Sequence, residues 1–257
     1  MYQITSDDDY LDVIKGDFEP DMVMLFDSLI KTDDIVLDIG ANIGCTSILF
    51  GTRAKQVFSF EPSPSTFHYL EKNIHAAQLN NIHTVNSGLG KTSGKFELTF
   101  APNNRSGGFV SNQMNASEGH QVEPIDIIKG DDFMSAKAIS HVDFIKIDVE
   151  GFERDVIEGL AVTLANDKPI VVLELNHWCL NILQRITVTD FFDFLRSVFP
   201  YLYAVDKRSI RNLRNNNEAY EVMFLHTTSG CKYSNLVGAF NKRQLDKFAL
   251  TFGIQID

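Results

Sequence analysis

The sequence predicts an α/β protein built on a mostly parallel sheet. Short apolar runs alternate with amphipathic ones along most of the chain, the pattern of repeated strand–helix–strand units. The first such run passes directly into a turn of small residues, "VLDIGANIG" over 36–44, as at a strand-to-helix crossover that meets a ligand. With 257 residues, 44% of them apolar, the chain has enough core for one large domain.

The elements follow in order. Glu19-Pro20 opens a helix to about Ile30, with proline in the first turn, where its missing N–H is harmless. Asp33-Asp34 turn the chain into a strand at 35–39, and Gly44 to about Thr52 reads as the next helix. Val57–Phe60 is the second strand, Ser65 is expected to cap a helix to about Leu79, and Ile82–Asn86 is the third strand. Between 87 and 135 the alternation breaks into "SGLGKTSG", an alternating strand "KFELTF" and the polar "APNNRSGGFVSNQMNASEGHQ". A loop that long inside a compact domain is disordered or functional, and a mobile lid or acceptor-binding loop is expected from Ala101 to Glu123. A strand at Val142–Val149, a helix from Phe152 to Leu164 and a strand at Ile170–Leu175 resume the pattern. Thr189 is expected to cap the core helix "DFFDFLRSVF", and "YLYAVD" and "YEVMFLH" are expected to form an antiparallel strand pair around "RNLRNNNE". One domain over 1–257 is expected: a helical extension (1–34), a cofactor-binding core (35–177), and a C-terminal helix, strand pair and tail (178–257).

The net charge of −11 and pI near 5.0 give no basic footprint, so nucleic acid and anionic membrane surfaces are poor partners. The start, "MYQITSDDDY", lacks the cationic and apolar regions of a secretory signal, and no apolar run approaches the ~18 residues that span a bilayer. A cytoplasmic location is expected. Cys45, Cys179 and Cys231 are odd in number and unrelated in spacing, so reduced buried thiols are expected in place of disulfides or a zinc knuckle.

Asp38, Gly40 and Gly44 form D-x-G-x-x-x-G at the end of the first strand, where backbone can approach a ligand and helix N–H groups point outward. Asn42 sits where a further glycine often lies, and asparagine tolerates left-handed backbone. This is not the G-x-G-x-x-G of a dinucleotide pyrophosphate site, and an acid at its mouth suits a cationic ligand. Alone, such a turn can be simply a tight turn. Glu61 ends the second strand, where a carboxylate accepts both hydroxyls of a ribose. Together they read as a nucleoside site with a cationic, phosphate-free tail, the features of S-adenosylmethionine. Asp148 and Glu150 emerge from the fourth strand, and Glu174 and His177 from the fifth, onto the rim where open α/β sheets bind ligands. Structural readings stand beside these: Lys146 pairing with Asp148, Glu150 as a helix N-terminal acid, and His177 as an ordinary loop histidine.

"VLDIGANIG", "FSFEPSP", "NSGLG", "IKIDVEGFERDVIEGL" and "IVVLELN", in that order and spacing, resemble the FkbM family of S-adenosylmethionine-dependent methyltransferases over about residues 19–177. The resemblance implies a Rossmann-like class I methyltransferase fold with a seven-stranded sheet and an antiparallel last strand. It also implies Pro62 and Ser87 as further cofactor contacts, S-adenosylhomocysteine as product, and O-methylation of a hydroxyl on a sugar, glycan or other small acceptor. Asp148, Glu150, Glu174 and His177 are then the catalytic candidates, Asp148 or His177 being favoured as base. The acidic rim favours an uncharged acceptor. No metal is expected, although Asp148, Glu150 and His177 have the chemistry to hold a divalent ion. The rival readings are an adenosine-binding module without turnover and a nicotinamide-dependent oxidoreductase.

Overall fold

The computed structural model describes residues 2–9, 11, 19–111 and 119–256. Its strands are β1 (Ile35–Ile39), β2 (Gln56–Phe60), β3 (Ile82–Val85), β4 (Gly88–Gly90), β5 (Gly94–Ala101), β6 (Asn104–Phe109), β7 (Gln121–Lys129), β8 (Phe144–Ile147), β9 (Ile170–Glu174), β10 (Tyr201–Asp206), β11 (Ser209–Asn212) and β12 (Asn235–Ala239). Its helices are α1 (Pro20–Leu29), α2 (Cys45–Gly51), α3 (Pro64–Ala77), α4 (Gly130–Ala136), α5 (Glu153–Gly159), α6 (Ala161–Asp167), α7 (His177–Leu183), α8 (Val188–Val198), α9 (Asn216–Thr228) and α10 (Asp246–Phe252).

Eight strands form the main sheet in the order β11-β10-β12-β9-β8-β1-β2-β3. The run from β9 to β3 is parallel throughout, with Asp38 in register with Lys146 on one side and Ser59 on the other. The last strand, β12, is antiparallel to both β9 and β10, as expected. Among the described residues the count is eight, not seven, because the short polar "SIRN" folds back on β10 as an antiparallel edge strand. Both faces of the sheet are covered, which is why its central strands are apolar without alternation. Val36 and Phe144 face α1, α2 and α3 through Phe26, Phe50 and Leu70, whereas Leu37 and Ile145 face α5 and α8 through Val156 and Phe191.

Several expected boundaries move for local reasons. Ser63, not Ser65, caps α3 by accepting from the Thr66 N–H at 3.1 Å, which places Pro64 at the first helical position. Likewise Thr187, not Thr189, caps α8 and accepts from the Asp190 N–H at 3.1 Å. The single helix expected over 152–164 is two, broken at Leu160, because the Asp131 carboxylate accepts the Val162 and Thr163 N–H groups at 2.9 Å each and starts α6 afresh. "YEVMFLH" is not a strand. It lies in α9, with Ala219, Val222 and His226 buried at helical spacing, and the strands that pair antiparallel with β10 are β11 and β12.

Most of the described residues of the segment expected as a lid belong to a second sheet, ordered β4-β7-β5-β6, whose core of Leu98, Phe100, Ile125 and Ile127 flanks that segment. Residues 101 and 104–109 belong to the β5–β6 hairpin and β7 begins at 121, while 112–118 of the expected lid lie outside the described residues. The hairpin is tied down: the Arg105 N–H donates to Asp8 at 3.0 Å, and its guanidinium pairs with Asp7 over the Tyr69 ring. On the other side, the Ser63 hydroxyl donates to Glu123 at 2.6 Å, joining β7 to the turn after β2. Among the described residues no helix is long and apolar enough to cross a membrane.

Candidate active site

The carboxyl ends of β1, β2, β8 and β9 face the small sheet across a cleft. Its walls are Gly40, Asn42, Glu61, Pro62, Asp148, Glu150 and Glu174 from the main sheet, and Leu98, Arg105, Ser106, Gly108, Ile125 and Ile127 from the small one. About 1060 Å³ of space, open solvent included, lies between these walls. A second lobe continues past Gly40, Asp148 and Glu174 toward Cys45, Ser234 and Asn235.

The β1–α2 turn shapes the floor. Gly40 has φ +79°, and a Cβ there would lie 1.8 Å from the Asp148 carbonyl oxygen, so only glycine lets β1 and β8 close together. Asn42 takes the left-handed conformation, at φ +49°. Glu61, 7% exposed, accepts the Asn42 N–H at 3.0 Å and the Ser63 N–H at 2.9 Å, one on each carboxylate oxygen. Burial pushes its pKa up to about 7 against those two hydrogen bonds. Each oxygen keeps a lone pair, enough to accept a pair of vicinal hydroxyls.

Asp38, expected at the mouth of the turn, is fully buried and absent from the cleft lining. Its Oδ2 accepts the Thr46 and Ser47 hydroxyls at 2.8 and 2.6 Å, which anchors the start of α2, and its Oδ1 lies 3.5 Å from the Lys146 ammonium. Lys146 also donates to the Gly40 carbonyl at 2.8 Å and stands 3.3 Å from Asp148. Burial would lower its pKa, but the Asp148 and Asp38 carboxylates outweigh it and hold the ammonium above its usual range. The expected Lys146–Asp148 pairing is therefore present, and it extends to Asp38 and the glycine turn. Gly44 packs against Leu70 and Ser87 is buried; neither lines the cleft, where Gly88 and Leu89 stand instead.

Of the four rim candidates, three converge. Glu150, at φ +50°, accepts the Asn176 amide at 3.0 Å and the Cys179 thiol at 3.1 Å; burial and the Asp148 charge raise its pKa. Glu174 is raised well above the usual carboxylate range, by burial first and then by Asp148, Glu150 and Glu153, and it shares a hydrogen bond with Asp148. His177 does not join them. It opens α7, lies outside the cleft lining, and turns its ring toward His226 and Cys231, so the three-residue metal set considered from sequence is not assembled. All three cysteines are free, but none is buried as expected: Cys45 and Cys179 are partly buried and Cys231 is exposed.

Sequence reasoning missed Glu153, which is fully buried; its Oε1 accepts the Gly151 and Val149 N–H groups at 3.1 and 3.3 Å. An acid two residues beyond a glycine turn was the available signal. It also missed Glu19, which lines both lobes and was read only as a helix opener.

A family model described as the methyltransferase FkbM domain matches residues 38–207. The chain is 29% identical over 159 residues to the hexuronic acid methyltransferase AglP of Haloferax volcanii, an alignment covering 60% of this chain and 61% of that protein. It is 29% identical over 154 residues to the 2-O-methyltransferase NoeI of Sinorhizobium fredii, covering 54% and 62%. These alignments span about three fifths of the relatives' length. Among solved structures, an FkbM methyltransferase of Methylobacillus flagellatus KT is similar in fold, with a TM-score of 0.51 at 16% identity over 80% of this chain and 43% of that one.

Proposed function

The chain belongs to the FkbM methyltransferase family and has its Rossmann-like fold, and from that premise we propose that it transfers a methyl group from S-adenosylmethionine to a hydroxyl oxygen of a sugar or similar small acceptor. The observation that carries the reading is the pairing of Glu61 with the Gly40–Asn42 turn in one cleft, next to the Asp148, Glu150 and Glu174 carboxyls. The residues fit the cofactor. A cradle that a Cβ at Gly40 would destroy admits close backbone contact, Glu61 has lone pairs for both ribose hydroxyls, and the acidic walls suit a sulfonium with an ammonium tail. When bound, that cofactor supplies an electrophilic methyl group on positively charged sulfur.

The chain's own residues supply position and a proton acceptor. Asp148 reaches the cleft with its side chain 43% exposed, beside Lys146, and is the best-placed group to take the hydroxyl proton. Glu174 hydrogen-bonds to Asp148, and Asn176 and Cys179 hold Glu150, so the acceptor meets fixed polar groups. Fixed orientation of this kind lowers the barrier without further chemistry. Ser106 on the β5–β6 hairpin lines the same cleft as these carboxyls and is a candidate acceptor contact, whereas the Arg105 guanidinium is held by Asp7. AglP is named for a hexuronic acid and NoeI for 2-O-methylation, which supports an oxygen acceptor of sugar type. The acidic rim here favours a neutral one.

Calorimetry with S-adenosylhomocysteine and single-turnover transfer of labelled methyl to a panel of sugars test the reading. Glu61→Ala should weaken cofactor binding by ~1.5–3 kcal/mol. Asp148→Asn should cut transfer by ~10²-fold or more while cofactor affinity holds. Unchanged affinity in the first variant, or a normal rate in the second, refutes the respective role.

A further inference from the structure

Away from the cleft, His177 at the start of α7, His226 in α9 and Cys231 in the following turn each offer one ligand atom, all within 4.8 Å of one another. We propose that these three side chains form a zinc site that cross-links α7, α9 and the approach to β12.

His226 is fully buried, and its Nδ1 lies 2.6 Å from the Lys232 carbonyl oxygen. A carbonyl only accepts, so Nδ1 carries the proton and Nε2 presents a lone pair. A backbone carbonyl on one nitrogen, fixing the ring and leaving the other free to coordinate, is how metal-bound histidines are held. The contact recorded at Nε2 is the His177 N–H at 3.4 Å, a long hydrogen bond and a weak competitor for a metal.

The turn that follows α9 is built to complete the set. Gly230, Cys231 and Tyr233 have φ of +71°, +57° and +60°, a left-handed conformation that is strained for the two non-glycine residues. What the strain achieves is specific. The same turn delivers the Lys232 carbonyl to His226 and the Cys231 sulfur to 3.9 Å from Nδ1 of His177. With zinc bonds of about 2.1 Å to nitrogen and 2.3 Å to sulfur at tetrahedral angles, a nitrogen–sulfur pair should stand about 3.5 Å apart. The sulfur therefore needs to close by a few tenths of an ångström, and the widest pair by about an ångström. Cys231 is exposed and His177 only partly buried, so both have room to close on the fixed His226. Two imidazoles and a thiolate suit zinc and not a hard, oxygen-seeking ion such as magnesium. Binding releases the Cys231 thiol proton to water and leaves one coordination position for solvent. Asn176, adjacent to His177, donates to Glu150, so the metal would stiffen the wall of the cleft without entering it.

The test uses the full chain stripped by a chelator and titrated with zinc by calorimetry, and separately with cobalt(II) followed by absorption. The wild type should take up a single equivalent of zinc and melt at higher temperature with it. Its cobalt form should show a thiolate charge-transfer band and tetrahedral d–d bands. Cys231→Ser should lose the charge-transfer band, and both Cys231→Ser and His177→Ala should bind zinc at least about tenfold more weakly. These two are chosen because neither is buried, so both should fold; circular dichroism checks this. No stoichiometric uptake by the wild type, or undiminished binding in either folded variant, overturns the proposal.

Discussion

Glu153→Gln changes one ionisable side chain that has no solvent exposure. Burial raises its pKa from 4.5 to about 8, although the Gly151 and Val149 N–H groups bond to Oε1; Oε2 is enclosed with no partner. Near neutrality the native chain thus holds a proton that the unfolded chain gives up. The folded pKa is raised, so the stability linked to Glu153 is fully present below pH 4.5 and declines as pH rises to about 8. The slope is about 1.4 kcal/mol per pH unit, so the decline is on the order of 5 kcal/mol in all. Glutamine keeps the carbonyl that accepts the two N–H groups and has no proton to take up. Wild type and variant should be close near pH 4.5, and the variant should gain on the wild type by on the order of 3 kcal/mol by pH 7. Urea unfolding of both proteins at several pH values between about 5 and 8 reads this gap directly. Neighbouring acids contribute to both curves, so the difference isolates Glu153. Parallel curves would falsify the assignment of a neutral buried acid.

Three further outcomes follow from the same geometry. Gly40→Ala forces a methyl onto the Asp148 carbonyl, so it should lower the melting temperature and abolish S-adenosylhomocysteine binding; a variant with normal melting and affinity would contradict the close approach. Glu61 is raised to about 7 and hydroxyl donors prefer its ionised form, so cofactor affinity should rise as pH goes from 6 to 8, and Glu61→Gln should flatten that dependence in calorimetry. Asp131→Ala removes the acceptor for the first N–H groups of α6 and should cost about 1–2 kcal/mol in urea unfolding, with cofactor affinity unchanged.

Where the sequence misled, the cause was either a cap a few residues away or an interaction remote in the chain. "YEVMFLH" has the apolar content of a strand, but Asn215 caps it as a helix and β12 takes the place beside β10. The break at Leu160 is set by Asp131, far back in the chain, and so has no local signature. The polar stretch after residue 101 looked like open loop because its hairpin is held by Asp7, Asp8 and Tyr69, which no spacing rule links to it. In the site, Gly40, Asn42, Glu61, Pro62, Asp148, Glu150 and Glu174 were readable and do line one cleft, because each ends a strand or follows within three residues of its carboxyl end, and strand ends share an edge.

The sequence by itself determined the parallel sheet, the turn that needs glycine at 40, and the set of acids at the strand ends, since periodicity and backbone sterics are local properties of the chain. Only the tertiary structure decided the role of each acid. Asp38 lies in β1 and Asp148 just past the end of the neighbouring β8, yet one is sealed beneath α2 with hydroxyls and the other opens to the cleft. Glu153 and Glu174 are held above the usual carboxylate range by burial, and His177, three residues past the end of β9, turns away to meet His226 and Cys231. Solvation, the proximity of other charges and the direction of a side chain are set by residues distant in sequence, and these govern protonation and reach.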